Sequence, residues 1–204
     1  MKNIAILLFA LALWFGASAQ PSELTGGMGL NFGSSKEAAR MMMKTKHPDA
    51  TFDEEKNNIL FYQGGTWLGR KVVIWAFLYD KKGELHTITL HILPPTTADV
   101  YDVYNHVVND LSSKYGKASG VIENWKYPYE AKDKYDHGIT ALKLGKCSMM
   151  TYWQWVNQAG MSEGTNNTIL VEITKDLDTK VTYQDGVRIK AANAERLEDK
   201  QDEM

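Results

Sequence analysis

Across residues 58–93 the chain reads NILFYQGGTWLGRKVVIWAFLYDKKGELHTITLHIL, and its apolar positions predict three consecutive antiparallel strands. The middle run, 71–79, is apolar at nearly every position. Alternate side chains of a strand point to opposite faces, so both faces of this one are expected to lie against something. Asp80-Lys81-Lys82-Gly83 has the composition of a hairpin turn that ends on a glycine at positive φ. The next run alternates. His86, Ile88, Leu90 and Ile92 fall on one face, and Leu85, Thr87, Thr89, His91 and Leu93 on the other, which predicts one dry and one wetter face.

Two helical patterns flank this sheet. Ser34-Ser35-Lys36-Glu37 has the form of a capping box, with Ser34 at the N-cap and Glu37 reaching back to it. The helix should run to about Lys46, stop at Pro48, and bury Ala38, Met41, Met42 and Thr45 as a core-facing stripe. After Pro94-Pro95, Thr96-Thr97-Ala98-Asp99 starts a second helix. Val100, Tyr104, Val107, Val108, Leu111 and Tyr115 share one of its faces, Lys114 suits the negative end of its dipole, and Gly116 follows it. Further strand-like runs are expected at 121–126, 139–144, 148–156, 168–174 and 180–184, separated by turn-forming segments. Both 34–93 and 96–186 therefore show a helix followed by antiparallel strands. This layout permits a duplicated helix-plus-sheet unit, although no residue-by-residue repeat accompanies it. The predicted fold class is α+β: an antiparallel sheet with two helices packed on one face.

The ends of the chain read differently. Residues 1–19 combine Lys2, an apolar stretch over 4–15 and the small residues Ala17-Ser18-Ala19, the pattern of a secretory signal peptide. No cysteine follows it, so a lipid anchor at a new N-terminal cysteine is not expected. Residues 20–33 form a Gly-rich leader. From 187 onward the chain turns polar, and 195–204 carries five acids against two bases, which reads as a frayed helix or disordered tail started by Ile189 and Ala191.

Phe32-Gly33-Ser34-Ser35-Lys36-Glu37-Ala38 opens the first helix, and Leu111-Ser112-Ser113-Lys114-Tyr115-Gly116-Lys117 closes the second. With a Trp-bearing strand and the final VTYQD run, these segments resemble small, mostly uncharacterised exported proteins of Gram-negative bacteria. The layout is also similar to the beta-lactamase-inhibitor-protein-like fold and to small outer-membrane assembly lipoproteins. In that group a helical element precedes an antiparallel sheet that serves as a binding face. The resemblance implies a binding role, carries over no functional residue, and departs from the lipoprotein branch because the lipidation cysteine is missing.

Charge and candidate chemistry narrow the function classes. A net charge of −2 gives no electrostatic footprint for nucleic acid or anionic lipid. Cys147 stands alone, which excludes an internal disulfide and a cysteine-based zinc site and makes it a small core residue. Gly160-Met161-Ser162-Glu163-Gly164 matches a nucleophile elbow literally. The run after it leads toward a strand, and no histidine follows it to complete a triad, so it reads as a Gly/Ser hairpin loop. His86 and His91 are five apart on one strand and cannot share a metal. The Asp133–His137 cluster reads as a solvated turn, Asp176-Leu177-Asp178 as a hairpin connection rather than a calcium loop, and Gly64–Gly69 as a bulge or hairpin rather than a phosphate cradle. No catalytic, cofactor-binding or metal-ligating residue is assigned, and no cofactor is expected.

Aromatic residues remain as binding candidates. Trp75, Trp153 and Trp155 are expected in the core. Trp67, Trp125, Tyr127 and Tyr129, beside turn-rich segments, are the candidate partner-binding residues. The expected function is an exported, non-catalytic, non-membrane-spanning binding module that contacts a protein partner through an open sheet face and adjacent loops. A carbohydrate or small-ligand binder of the envelope and a structural envelope component are the alternatives.

Overall fold

The computed structural model describes residues 23–156 and 166–202. The signal-peptide pattern at 1–19 and the whole G-x-S-x-G motif at 160–164 lie outside the described residues. The fold is α+β. A small hairpin, β1 (Gly26–Gly27) and β2 (Leu30–Asn31), leads into helix α1 (Lys36–Lys46). Strands β3 (Ala50–Lys56), β4 (Ile59–Gly64), β5 (Thr66–Trp67), β6 (Arg70–Tyr79) and β7 (Leu85–Ile92) follow. A turn of 3-10 helix (Thr97–Asp99) opens α2 (Val100–Tyr115), after which come β8 (Gly120–Trp125), α3 (Gly138–Lys143), β9 (Cys147–Trp155), β10 (Asn167–Ile173), β11 (Thr179–Gln184) and α4 (Gly186–Asp202). The main sheet is antiparallel in the order β3-β4-β6-β7-β11-β10-β9-β8, with β5 paired to the side of β6. Each run of four strands follows a helix, and the two runs meet at a central seam where β7 pairs with β11.

Register decides which side chains share a face. Trp75, Leu90, Val181, Val171 and Thr151 form one continuous row across five strands. Both helices sit on that side. His47, the C-cap of α1, stacks at 4.5 Å on Trp75, and Tyr104 of α2 shares a 2.6 Å hydrogen bond with Thr151. The indole of Trp153 donates to the Gly116 carbonyl at the end of α2, and that of Trp75 donates to Gly64. Trp75, Trp153 and Trp155 are all buried on this side, as their spacing predicts. The opposite face carries the row Ala76, Thr89, Thr182, Leu170 and Tyr152. No described tryptophan lies on it, and its central threonines are buried by their neighbours.

Several local expectations shift, each for a visible reason. Strict alternation fails twice in the β6–β7 pair, with irregularities between Val72 and Ile74 and between Leu78 and Tyr79. A bulge adds a residue on one strand and reverses the faces beyond it. Leu85 thus pairs with Tyr79 and is fully buried on the helix side, rather than lying beside Thr87. Ser35, not Ser34, caps α1, accepting from the Ala38 amide. The buried stripe is Ala39, Met42 and Met43, while Met41 is 72% exposed. The partner that turns the helix is β3, a strand the sequence pattern does not announce. Lys36 and Arg40 both reach Glu55 on it at 2.7 Å, and Arg40 lies over Phe52.

The strand expected at 139–144 is instead helix α3 (Gly138–Lys143) and its C-cap Leu144. β-branched Ile139 and Thr140 suggest extension, but Ala141 and Leu142 are the buried positions and a Schellman cap closes the helix. The Gly145 amide donates to Leu142, the Lys146 amide to Ala141, and Gly145 holds the left-handed conformation that this cap needs. The second helix keeps its expected face, with Val100, Tyr104, Val107, Leu111 and Tyr115 buried and Val108 packed against the core. Leu24 and Leu30 of the leader are buried in the same core, and Asn167 donates to the Leu24 carbonyl. At the other end α4 is helical through Asp202 and touches β7 and β10. Ile189 is half-buried, whereas Ala191 is exposed.

Candidate functional site

Three hairpins among the described residues close with two residues, both at positive φ, the geometry of a type I′ turn that suits Asn, Asp and Gly. The β3–β4 turn obeys the rule with Asn57-Asn58. The other two do not: β1–β2 turns on Met28-Gly29 and β5–β6 on Leu68-Gly69. Met28 has φ 58° and Leu68 φ 49°, conformations that large apolar side chains avoid. Leu68 is 56% exposed, so burial does not compensate it.

Both strained tips line the same groove, of about 620 Å³. Tyr183 of β11 and Trp67 beside the second tip line it as well, together with Leu111, Asp110, Ser113 and Lys114 of α2. A salt bridge of 2.7 Å from Arg70 to Asp110 ties the β5–β6 hairpin to α2 at its rim. Tyr183 meets Tyr115 edge-on, and its deep burial pushes the phenol well above its ordinary range. The groove thus collects one hairpin from the leader, one from the first run of strands, the second helix, and the last strand.

The candidate residues divide between two places. Trp67 is in the groove and almost wholly buried. Trp125, Tyr127 and Tyr129 cluster around the end of edge strand β8. There Trp125 donates to Glu123, Tyr129 packs against the core, and Tyr127 stands 91% exposed before a cis peptide bond to Pro128. A Cβ on Gly138 would lie close to both the Tyr101 hydroxyl and Trp125, so this cluster belongs to the start of α2. The groove belongs to residues 110–114 of the same helix, roughly 15 Å further along at 1.5 Å per residue. The structure does not bring Trp67 together with the other three. Sequence reasoning missed Met28, Leu68, Arg70, Asp110, Lys114 and Tyr183. A usable signal existed: an apolar residue followed by Gly, twice, between short strand-like runs.

Elsewhere the titratable groups look structural. Asp178, in the β10–β11 connection, accepts from Thr174 and contacts His91 at 2.7 Å on the face away from the helices. Lys180 pairs with Glu172 at 2.8 Å on that same face. Burial pushes the Asp178 carboxyl up, but hydrogen bonds from His91 and Thr174 outweigh it and hold the group below its ordinary value near 3.8. A depressed carboxylate stabilises the fold above its unfolded pKa, and that contribution is lost as pH falls through the folded value. Asp178→Asn is therefore expected to cost about 1–3 kcal/mol at pH 7. It should also remove part of the acid sensitivity below about pH 4, measured by urea unfolding between pH 3 and 7. Burial pushes the Cys147 thiol up to about 11, which makes it an inert core residue. Among the described residues no three His, Cys, Asp or Glu side chains gather closely enough to hold a metal ion, and no described helix is long and apolar enough to cross a membrane.

Comparison with protein-family models, with curated proteins and with solved structures finds no match to this chain.

Proposed function

We propose that this chain is an exported, non-catalytic binding module, and that it binds a small apolar ligand in the groove between the β1–β2 and β5–β6 tips and α2. The observation that carries the reading is the paired strain. Left-handed backbone at a non-glycine residue costs of order 1–3 kcal/mol and persists where the surroundings over-determine it, often at ligand sites. Here two turns accept that cost, each with an apolar residue where Asn fits better, and both open on one cavity. The position of the groove, at the junction of several elements, is where ligand sites concentrate.

Leu68→Asn separates function from stability. The variant is expected to gain about 0.5–1 kcal/mol in denaturant unfolding, because Asn accepts the turn conformation. It should bind the apolar fluorophore 1-anilinonaphthalene-8-sulfonate several-fold more weakly. A loss of stability would show that no strain resides in the turn, and unchanged dye binding would place the site elsewhere.

A second reading, contact with a protein partner or glycan, draws on the β8 edge. β3, the opposite edge, is guarded by a bulge and by Asp53, Glu54, Glu55 and Lys56, whereas β8 exposes Val121 and Ile122 next to Tyr127. Tyr127→Ala tests this contact with little expected change in the fold.

A further inference from the structure

We infer that the ligand of the groove is a single-chain amphiphile with an anionic head, of the long-chain carboxylate type. This identification rests on the groove being the binding site.

The groove walls divide by chemistry. Met28, Trp67, Leu68, Leu111 and Tyr183 supply the apolar lining. Among the charged lining residues Arg70 is neutralised by Asp110, which leaves Lys114 as the uncompensated charge. No described carboxylate pairs with Lys114, whose ammonium lies 4.9 Å from the centre of the Tyr115 ring. A second cation stands at the first tip. The Lys46 ammonium lies so close to Gly29 that a Cβ there would fall 2.3 Å from it, and it too has no described ion-pair partner. An apolar trough with Lys114 on its wall and Lys46 beside the turn that carries Met28, neither with a described ion-pair partner, is complementary to a tail bearing one negative head. A peptide in the same trough would need hydrogen-bond partners along its backbone. Apart from the charged rim, the only described lining side chains with hydrogen-bonding atoms are Ser113, Trp67 and Tyr183, too few to meet that need. An alkyl chain needs none.

The test is a calorimetric titration of the purified protein with decanoate, dodecanoate and tetradecanoate below their micellar concentrations. 1-Dodecanol and dodecyltrimethylammonium serve as tails with neutral and positive heads. The carboxylates are expected to bind one to one, with affinity rising about fourfold per added methylene until the trough is full. Dodecyltrimethylammonium should bind at least tenfold more weakly than dodecanoate. Lys114→Gln should weaken dodecanoate several-fold while sparing dodecanol, and Leu68→Asn should weaken every tail. Equal affinity for all three heads, or none of the chain-length dependence, overturns the amphiphile assignment while leaving an apolar groove. No binding of any tail, or binding untouched by Leu68→Asn, overturns the groove itself. Co-sedimentation with phosphatidylglycerol vesicles without binding of monomeric dodecanoate would show a membrane surface as the target and also sink the inference.

Discussion

Trp153→Ala is expected to lower stability by about 3–5 kcal/mol, the usual cost of removing a fully buried large aromatic side chain. For a domain of this size that corresponds to a fall in Tm of roughly 6–20 °C. The position matters for more than volume. Trp153 is wholly buried, near the end of β9, and its indole N–H holds the Gly116 carbonyl where α2 ends. Substitution leaves both a cavity and an unpaired helix-terminal acceptor. Trp153→Phe divides these effects, since it keeps most of the ring and loses the hydrogen bond; about 1–2 kcal/mol should then remain. Trp125→Ala is the comparison, because Trp125 is only half-buried and its indole bonds to exposed Glu123. Thermal and denaturant unfolding of the three variants gives the order directly. A Trp153→Ala variant no less stable than Trp125→Ala would contradict the packing of α2 on the sheet.

Gly26→Ala, the addition of one methyl group, is expected to open the β1–β2 hairpin. A Cβ at this position would stand 2.0 Å from the Leu30 carbonyl oxygen and 2.7 Å from the Asn31 Cα, both backbone atoms of the strand it pairs with. Nothing flexible can yield, so the two strands must part. With them go the hydrogen bond from Phe32 to Thr25, the seat of Leu30 in the core, and the placement of Met28 at the groove. Overpacking of this kind costs about 1–3 kcal/mol globally, but its sharpest effect is local. The amides of Phe32 and Gly33 should lose their protection from hydrogen exchange by a hundredfold or more, while those of β9 and β10 keep theirs. Protection unchanged at Phe32 would mean that the hairpin tolerates the side chain.

How far the sequence carries the fold depends on whether its signals are local. The face of α2 is legible because its five buried residues keep helical spacing and its start is marked by Thr96 and Asp99, which bond as a cap. The face of α1 is not. Ala38, Ala39, Met41, Met42 and Met43 offer two overlapping stripes, and the choice between them is made by Glu55 on a strand whose sequence, ATFDEEK, looks like surface loop. Leu85 is misread for a related reason, since a bulge leaves no mark in an alternating pattern. The helix at 138–143 is hidden by its β-branched beginning and betrayed only by Gly145 after its end. As for the groove, Trp67 is recognisable as a candidate because aromatic residues in Gly-rich loops stand out. Its neighbours come from 28, 110–114 and 183, and no periodicity connects residues brought together by the folding of the whole chain.

The β7–β11 seam has a consequence for how the chain comes to be folded. All the partners of β3, β4 and β6 in the main sheet lie within the chain through residue 92, yet one side of β7 pairs with β11, the last described strand. The contact of His91 with Asp178 spans 87 residues. Loop closure over such a distance is slow, and an apolar strand with an unpaired edge invites pairing with another chain meanwhile. Without β11, the run β3, β4, β6 and β7 ends in an open edge that is the middle of the finished sheet. A partly folded chain that lacks β11 exposes that edge to other chains, and β11 is the piece that closes it.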